Sequence, residues 1–101
     1  MNVLFICNQG QNRSRTAAEL FAGRCKTESA GLYCDRPVTK EQLVRADVIV
    51  VMEDRHRSEI AGRFPDAYLQ KRILVLGIPD TYCRNQPELV AILKSEADQP
   101  L

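Results

Sequence analysis

The chain has no long apolar run. Nowhere do apolar residues approach the roughly 18 consecutive positions of a membrane-spanning helix. The N-terminal run, Val3-Leu4-Phe5-Ile6, gives way at once to a polar loop and is too short for a secretory signal. An excess of one charge is lacking too. The 14 Lys and Arg against 13 Asp and Glu leave a net charge of +1, well interspersed, so neither nucleic acid nor an anionic membrane is expected as a partner. None of the 4 cysteines sits in a C-x2-C pair, so structural zinc is not expected. Without a signal the expected location is cytoplasmic, where cysteines stay as thiols rather than disulfides. There is no internal repeat, low-complexity tract or linker. With 101 residues, 45% of them hydrophobic, a single domain over residues 1–101 with one core is expected.

What is present is concentrated near the start. Val3-Leu4-Phe5-Ile6 runs into Cys7, then Asn8-Gln9-Gly10-Gln11-Asn12, then Arg13-Ser14 and a helical stretch through Thr16-Ala17-Ala18-Glu19-Leu20-Phe21. A buried strand, a tight polar loop and a helix N-terminus make an anion site, because loop N–H groups and the helix dipole converge on one point. Cys7 stands at the strand end beneath that point, where aligned N–H donors favour a thiolate over a thiol. Arg13 offers a planar fork matched to two phosphate oxygens, which lysine lacks. Ser14 places a hydroxyl where it can steady the sulfur. Gly10 permits the positive φ that a loop curling its amides inward requires. The Cys-x5-Arg spacing is weak as a bare pattern. Among the four cysteines, however, only Cys7 has arginine at that distance, the others meeting Gly31, Lys40 and Leu89, and only Cys7 lies on a strand–loop–helix.

The rest of the chain alternates apolar strands with amphipathic segments. A first helix is expected over about residues 14–24 and a short strand over 26–31. A connection holding Tyr33, Cys34 and Pro37 follows. Thr39-Lys40-Glu41-Gln42 fits a capping box opening a short helix to about Arg45. Residues 47–52, apolar without a break from Val48 to Met52, read as a doubly buried strand. A helix starting at Glu53 or Asp54 carries His56, Ile60 and Phe64 on one stripe. Residues 72–77 form the last strand, and Pro87 opens a helix with Leu89, Ile92 and Leu93 inward. Residues from Asp98 onward read as frayed. The implied fold class is α/β: three layers, doubly wound, a four-stranded parallel sheet in the order 2-1-3-4. Ligands then bind beyond the strand carboxyl ends. That edge receives the Cys7 loop and also Pro79-Asp80-Thr81-Tyr82.

Asp80 is therefore the candidate general acid for a leaving group, and base for a later hydrolysis. Pro-Asp-Thr is also an ordinary turn sequence. Tyr82 either walls the pocket or packs at the surface. His56, the sole histidine, reads as structural. Cys83 is a candidate resolving thiol, and Cys25 and Cys34 read as small hydrophobes. Arg55, Arg57, Arg63, Lys71 and Arg72 read as solvated faces, with steering of anions as the alternative.

The chain resembles the low-molecular-weight protein tyrosine phosphatases, as a shorter version of about 100 residues. The resemblance rests on Val3-Leu4-Phe5-Ile6-Cys7 through Arg13-Ser14, on Ser29-Ala30-Gly31, on Val38-Thr39-Lys40-Glu41, on residues 47–54 with their Val51-Met52-Glu53 ending, and on Asp80-Thr81-Tyr82. It implies a flavodoxin-like layout and a phosphatase that works through a phosphocysteine without metal or cofactor. Cys7 would be nucleophile, Arg13 the phosphate clamp, Ser14 the partner of the thiolate and Asp80 the acid. Asn8, Gln9, Gly10, Gln11, Asn12 and Tyr82 would line the substrate site, for a phosphorylated protein or a small aryl phosphate. Several positions depart from the family pattern. The connection from Gly31 to Val38 is shortened, so the pocket should be more open. Asn8 and Gln11 stand where apolar residues flank a phosphotyrosine ring. Arg15 and Thr81 replace prolines, Asn12 a second loop cysteine, and Gly10 an asparagine. Two other readings remain open on the same residues. One is a thiol-dependent oxyanion reductase of arsenate-reductase type. The other is a non-catalytic phosphate- or phosphoprotein-binding or phosphocysteine-carrier domain.

Overall fold

In the computed structural model, residues 1–79 and 81–96 are described, the last by its backbone. The order along the chain is β1 (Asn2–Cys7), α1 (Arg13–Leu20), β2 (Lys26–Gly31), α2 (Lys40–Arg45), β3 (Val48–Val51), α3 (Asp54–Arg63), α4 (Pro65–Gln70), β4 (Arg72–Val75) and α5 (Pro87–Glu96). The four strands pair in parallel in the order β2-β1-β3-β4. This is the expected sheet. β1 and β3 are central, and both are apolar throughout their buried span, as a strand covered on both faces must be.

Side-chain alternation divides the core into two layers. Val3, Phe5 and Cys7 of β1, with Val48 and Val50 of β3, face Ala17, Ala18 and Phe21 of the α1 region and Leu89 and Leu93 of α5. Leu4 and Ile6, with Ile49 and Val51, face Leu43 of α2, Ile60 of α3 and Ala67 of α4. Each fully buried Leu, Ile or Phe contributes on the order of 1.5–3 kcal/mol. The parity of β1 also decides chemistry: Cys7 is the last residue on the α1 side, so its sulfur ends beside the start of α1.

Two boundaries shift by two residues or more and one helix is additional, each for a local reason. α1 stops at Leu20 instead of running to residue 24, because Ala22 N–H turns to the Glu19 carbonyl and Arg24 N–H to that of Phe21, tightening the chain into a turn. α4 was not anticipated. Pro65 occupies its first turn, where the missing N–H costs nothing. Regular β4 ends at Val75 rather than residue 77. Leu76 N–H and Ile78 N–H still reach the carbonyls of Val51 and Met52, while Gly77 takes φ +72° between them. The capping box at Thr39 is formed, Gln42 N–H donating to Thr39 Oγ1 at 3.2 Å and Thr39 N–H to Gln42 Oε1 at 3.0 Å. The residues expected to fray, from Asp98, lie outside the described ones. Among the described residues no helix is long and apolar enough to cross a membrane.

The chain after β4 is fastened to α1. Asn85 N–H donates to Thr16 Oγ1 at 2.9 Å, Arg84 pairs with Glu19, and Tyr82 packs against the core layer that α1 shares with α5. This holds Tyr82, Arg84 and Asn85 against α1 and its core layer.

Candidate active site

The loop between β1 and α1 is shaped by contacts between its own backbone and the end of β2. Gly10 adopts φ +74°, and a Cβ there would lie 2.7 Å from the Ala30 carbonyl carbon. Gly31 is crowded from the other side, since a Cβ on it would sit 2.5 Å from the Gln9 carbonyl carbon. Leu32 N–H donates to the carbonyls of Cys7 and Asn8, and Tyr33 N–H to that of Asn8 at 2.7 Å. Two glycines thus let two backbones touch. Gly31→Ala is expected to cost about 1–3 kcal/mol through overpacking. Urea denaturation measures it, and a loss below about 0.5 kcal/mol would show that the loop yields freely.

This folding leaves Cys7 Sγ 3.1 Å from Ser14 Oγ and 3.2 Å from the Gly10 amide nitrogen, whose N–H donates to it. Ser14 also approaches the Ala30 carbonyl, at 3.5 Å. With the sulfur as thiolate, the serine proton belongs to the sulfur, and two donors then hold the anion. A small cavity of about 130 Å³ opens directly on Cys7, Asn8, Gln9 and Asn12. Asn12 stands at the N-cap of α1 without a side-chain cap bond, so the mouth of the helix faces this region.

Arg13 is fully buried, which is rare for arginine and requires strong partners. Its Nη1 donates to Glu53 Oε2 at 2.7 Å and to the Ile78 carbonyl at 2.6 Å. Glu53 lies just past β3 and Ile78 just past β4, so the chain leaving two strands meets on one guanidinium at the start of α1. Partial burial pushes the Glu53 carboxyl up, but hydrogen bonds from Arg55 and Arg13, with their charges, outweigh it and hold the carboxyl below the ordinary range. Because its folded value is depressed, the stability from ionised Glu53 is fully present above the unfolded value of about 4.3 and is lost as pH falls through the folded value. The wild-type melting temperature is therefore expected to drop more steeply below about pH 4.3 than that of Glu53→Gln. Parallel slopes in thermal melts would contradict the assignment.

Of the residues expected at the site, Cys7, Asn8, Gln9, Gly10, Gln11, Asn12, Arg13 and Ser14 come together in this one loop and helix start. Asp80 lies outside the described residues. Tyr82 is half-buried against the core layer of α1 and α5. Beside the loop, Gln9, Gln11, Tyr33, Cys34, Asp35 and Arg36 line a polar depression of about 480 Å³. Its wall is tied to α3, because Arg63 donates to the Leu32 carbonyl at 2.8 Å and stacks over Tyr33 at 5.5 Å. Arg63 is thus a brace rather than a purely solvated charge. All four cysteines are free thiols, Cys83 exposed and Cys7 buried.

Sequence reasoning missed two members of the site. Glu53 holds Arg13, and the available signal was an acid directly after a doubly buried central strand. His56, read as a structural stripe residue, is fully buried but turns toward the loop. Its Nε2 lies 2.8 Å from Asn8 Oδ1, and its Nδ1 accepts the Glu53 N–H at 3.1 Å. The signal for it was polar spacing: a histidine three residues after an acid at a helix start.

The fold is that of the low-molecular-weight protein tyrosine phosphatases, with the Cys7 loop at the carboxyl end of its first strand. Among solved structures, the chain is similar to a YwlE mutant from Bacillus subtilis, at 20% identity over 98% of this chain and 97% of that one, with a TM-score of 0.76. It is similar to a YwlE arginine phosphatase in which serine replaces cysteine and the active-site serine is phosphorylated, at 20% identity over 98% and 95%, TM-score 0.77. A third likeness is to the tyrosine phosphatase Wzb from Escherichia coli K30 in complex with phosphate, at 19% identity over 97% and 94%, TM-score 0.78. By sequence, no family model and no curated protein matches the chain.

Proposed function

We propose that the chain is a cysteine-dependent phosphomonoesterase of low-molecular-weight tyrosine phosphatase type, acting through a phosphocysteine. The observation that carries this reading is one sulfur, Cys7, held by the Gly10 N–H and Ser14 at the end of a strand, with a buried Arg13 at the start of the helix that follows. In the first step the thiolate attacks phosphorus, an S–P bond forms, and the P–O bond to the leaving group breaks. Arg13 and the loop amides stabilise the charge on the non-bridging oxygens. Asp80 gives a proton to the departing oxygen. In the second step the same carboxylate takes a proton from water, which attacks phosphorus, releasing inorganic phosphate and restoring the thiolate. One similar structure is described as a YwlE arginine phosphatase mutant with a phosphorylated active-site serine in place of cysteine.

The substrate is a phosphorylated protein or small phosphate ester, and the working compartment is the cytoplasm, consistent with four free thiols. The depression beside the loop is polar, so the panel of substrates includes phosphoarginine alongside aryl and seryl phosphates, arginine phosphatase being the named activity of one similar protein. The reductase alternative needs a relay thiol within reach of Cys7. Its candidate, Cys83, lies exposed on the chain after β4, which favours hydrolysis.

The test is turnover of that panel by wild type and by Asp80→Asn. Wild type is expected to release inorganic phosphate, and Asp80→Asn to bind phosphate but turn over about 10²–10⁴-fold more slowly. Phosphate binding with no turnover of any ester by wild type would instead establish a binding module. Thiol-dependent arsenate reduction lost in Cys83→Ser would establish the reductase.

A further inference from the structure

The buried imidazole of His56 takes no part in the steps above, yet it touches Asn8 at the start of the loop and Glu53, the partner of Arg13 at its end. We propose that His56 is a positioning residue of the phosphate cradle: one imidazole holds Asn8 at the start of the loop directly and Arg13 at its end through Glu53. The inference rests on the cradle reading of residues 7–13.

The hydrogen bonds fix the form of the ring. The Glu53 backbone N–H donates to Nδ1, so Nδ1 carries a lone pair rather than a proton. The proton of the neutral ring is therefore on Nε2, which points at Asn8 Oδ1 at 2.8 Å. That contact orients the Asn8 amide group, oxygen toward His56. Meanwhile the Asn8 carbonyl accepts the N–H groups of Leu32 and Tyr33. The first residue after the nucleophile is thus clamped by its side chain to α3 and by its backbone to the exit of β2. With Asn8 fixed there, the chain has little freedom before Gly10, whose N–H meets the sulfur.

The other end is reached through Glu53. His56 holds its backbone nitrogen, and Nε2 stands 3.6 Å from its Oε2, the oxygen that accepts from Arg13. A histidine needed only to start α3 would use Nδ1 alone. Here Nε2 crosses to a different element, 48 residues away in sequence. Errors of about 1 Å in such a site cost on the order of 10²-fold in rate, so a clamp at both ends has catalytic value without touching substrate.

Two substitutions separate the two nitrogens. His56→Asn keeps an acceptor near Nδ1 and removes the reach to Asn8. His56→Gln keeps a donor near Nε2 and removes the acceptor for Glu53. The measurements are kcat, KM, inhibition by inorganic phosphate, and the melting temperature, with Asn8→Ala and the double variant alongside. His56→Asn is expected to melt near wild type but to lose about 10-fold or more in kcat/KM and in phosphate affinity. Asn8→Ala should lose as much, and the double variant no more than either. His56→Gln should recover part of the kinetics at lower stability. His56→Asn with wild-type kinetics, or losses that add in the double variant, would overturn the proposal and leave His56 as a helix-start residue. If wild type neither turns over esters nor binds phosphate, the phosphatase reading has failed. The clamp is then judged on amide exchange at Gly10, which should quicken about 10-fold in His56→Asn. Unchanged exchange would overturn it.

Discussion

Cys7→Ser is expected to abolish turnover of an activated aryl phosphate, by about 10⁵-fold or more, with inorganic phosphate still bound and a melting temperature near that of wild type. The size of the loss follows from removing a nucleophile that the rest of the site serves. A hydroxyl holds its proton far more tightly than a thiol, and the loop offers donors to the sulfur, the Gly10 N–H and Ser14, but among the described residues no base beside it. Binding survives because the guanidinium and the loop amides are untouched. Packing should survive because serine is slightly smaller than cysteine and takes the last position of its core layer, where a small cavity opens. Steady-state kinetics on an aryl phosphate and phosphate titration of both proteins check this. Turnover in Cys7→Ser within tenfold of wild type would remove the sulfur from the mechanism.

Arg13→Ala is expected to damage both function and fold. In function it removes the fork for the phosphate oxygens, and loss of one such donor costs about 10²–10³-fold in rate. In the fold it empties a fully buried position and leaves the Ile78 carbonyl and the Glu53 carboxylate without the group that joins them. Breaking a buried pair in this way costs about 3–5 kcal/mol, and the partial exposure of Glu53 places the expected value at the lower end. Arg13→Lys separates the two effects. It restores a charge near Glu53 and part of the stability, yet not the planar fork, so the rate deficit should persist. Urea denaturation and kcat/KM measured together give the answer. Wild-type kinetics in Arg13→Lys would mean that the fork geometry is unused.

The sheet was readable from the sequence because its central strands carry an unbroken apolar signal: Val3 to Ile6 and Val48 to Val51 have no period other than burial on both faces. The loop was readable because a single stretch holds its sulfur, glycine, arginine and serine in order. What escaped prediction depends on contacts far apart in the chain. Whether Pro65 ends a helix or begins one is decided by where α3 leaves the sheet, and local propensity is silent on that. Glu53 and His56 joined the site because β3 pairs beside β1, which brings the start of α3 against the loop. On its own segment each looks like an ordinary helix-start residue. Tyr82 was ambiguous for the same reason, since its packing is set by how the chain after β4 fastens onto α1.

The most direct test of the account is a rapid quench of the enzyme during turnover of an aryl phosphate, followed by mass analysis of its peptides. The Asp80→Asn protein, expected to be slow in the hydrolytic step, should be used beside wild type. The account predicts one added phosphoryl group on the peptide carrying Cys7, accumulating in Asp80→Asn and absent from Cys7→Ser. Steady release of phosphate with no phosphoryl group ever found on that peptide would contradict it.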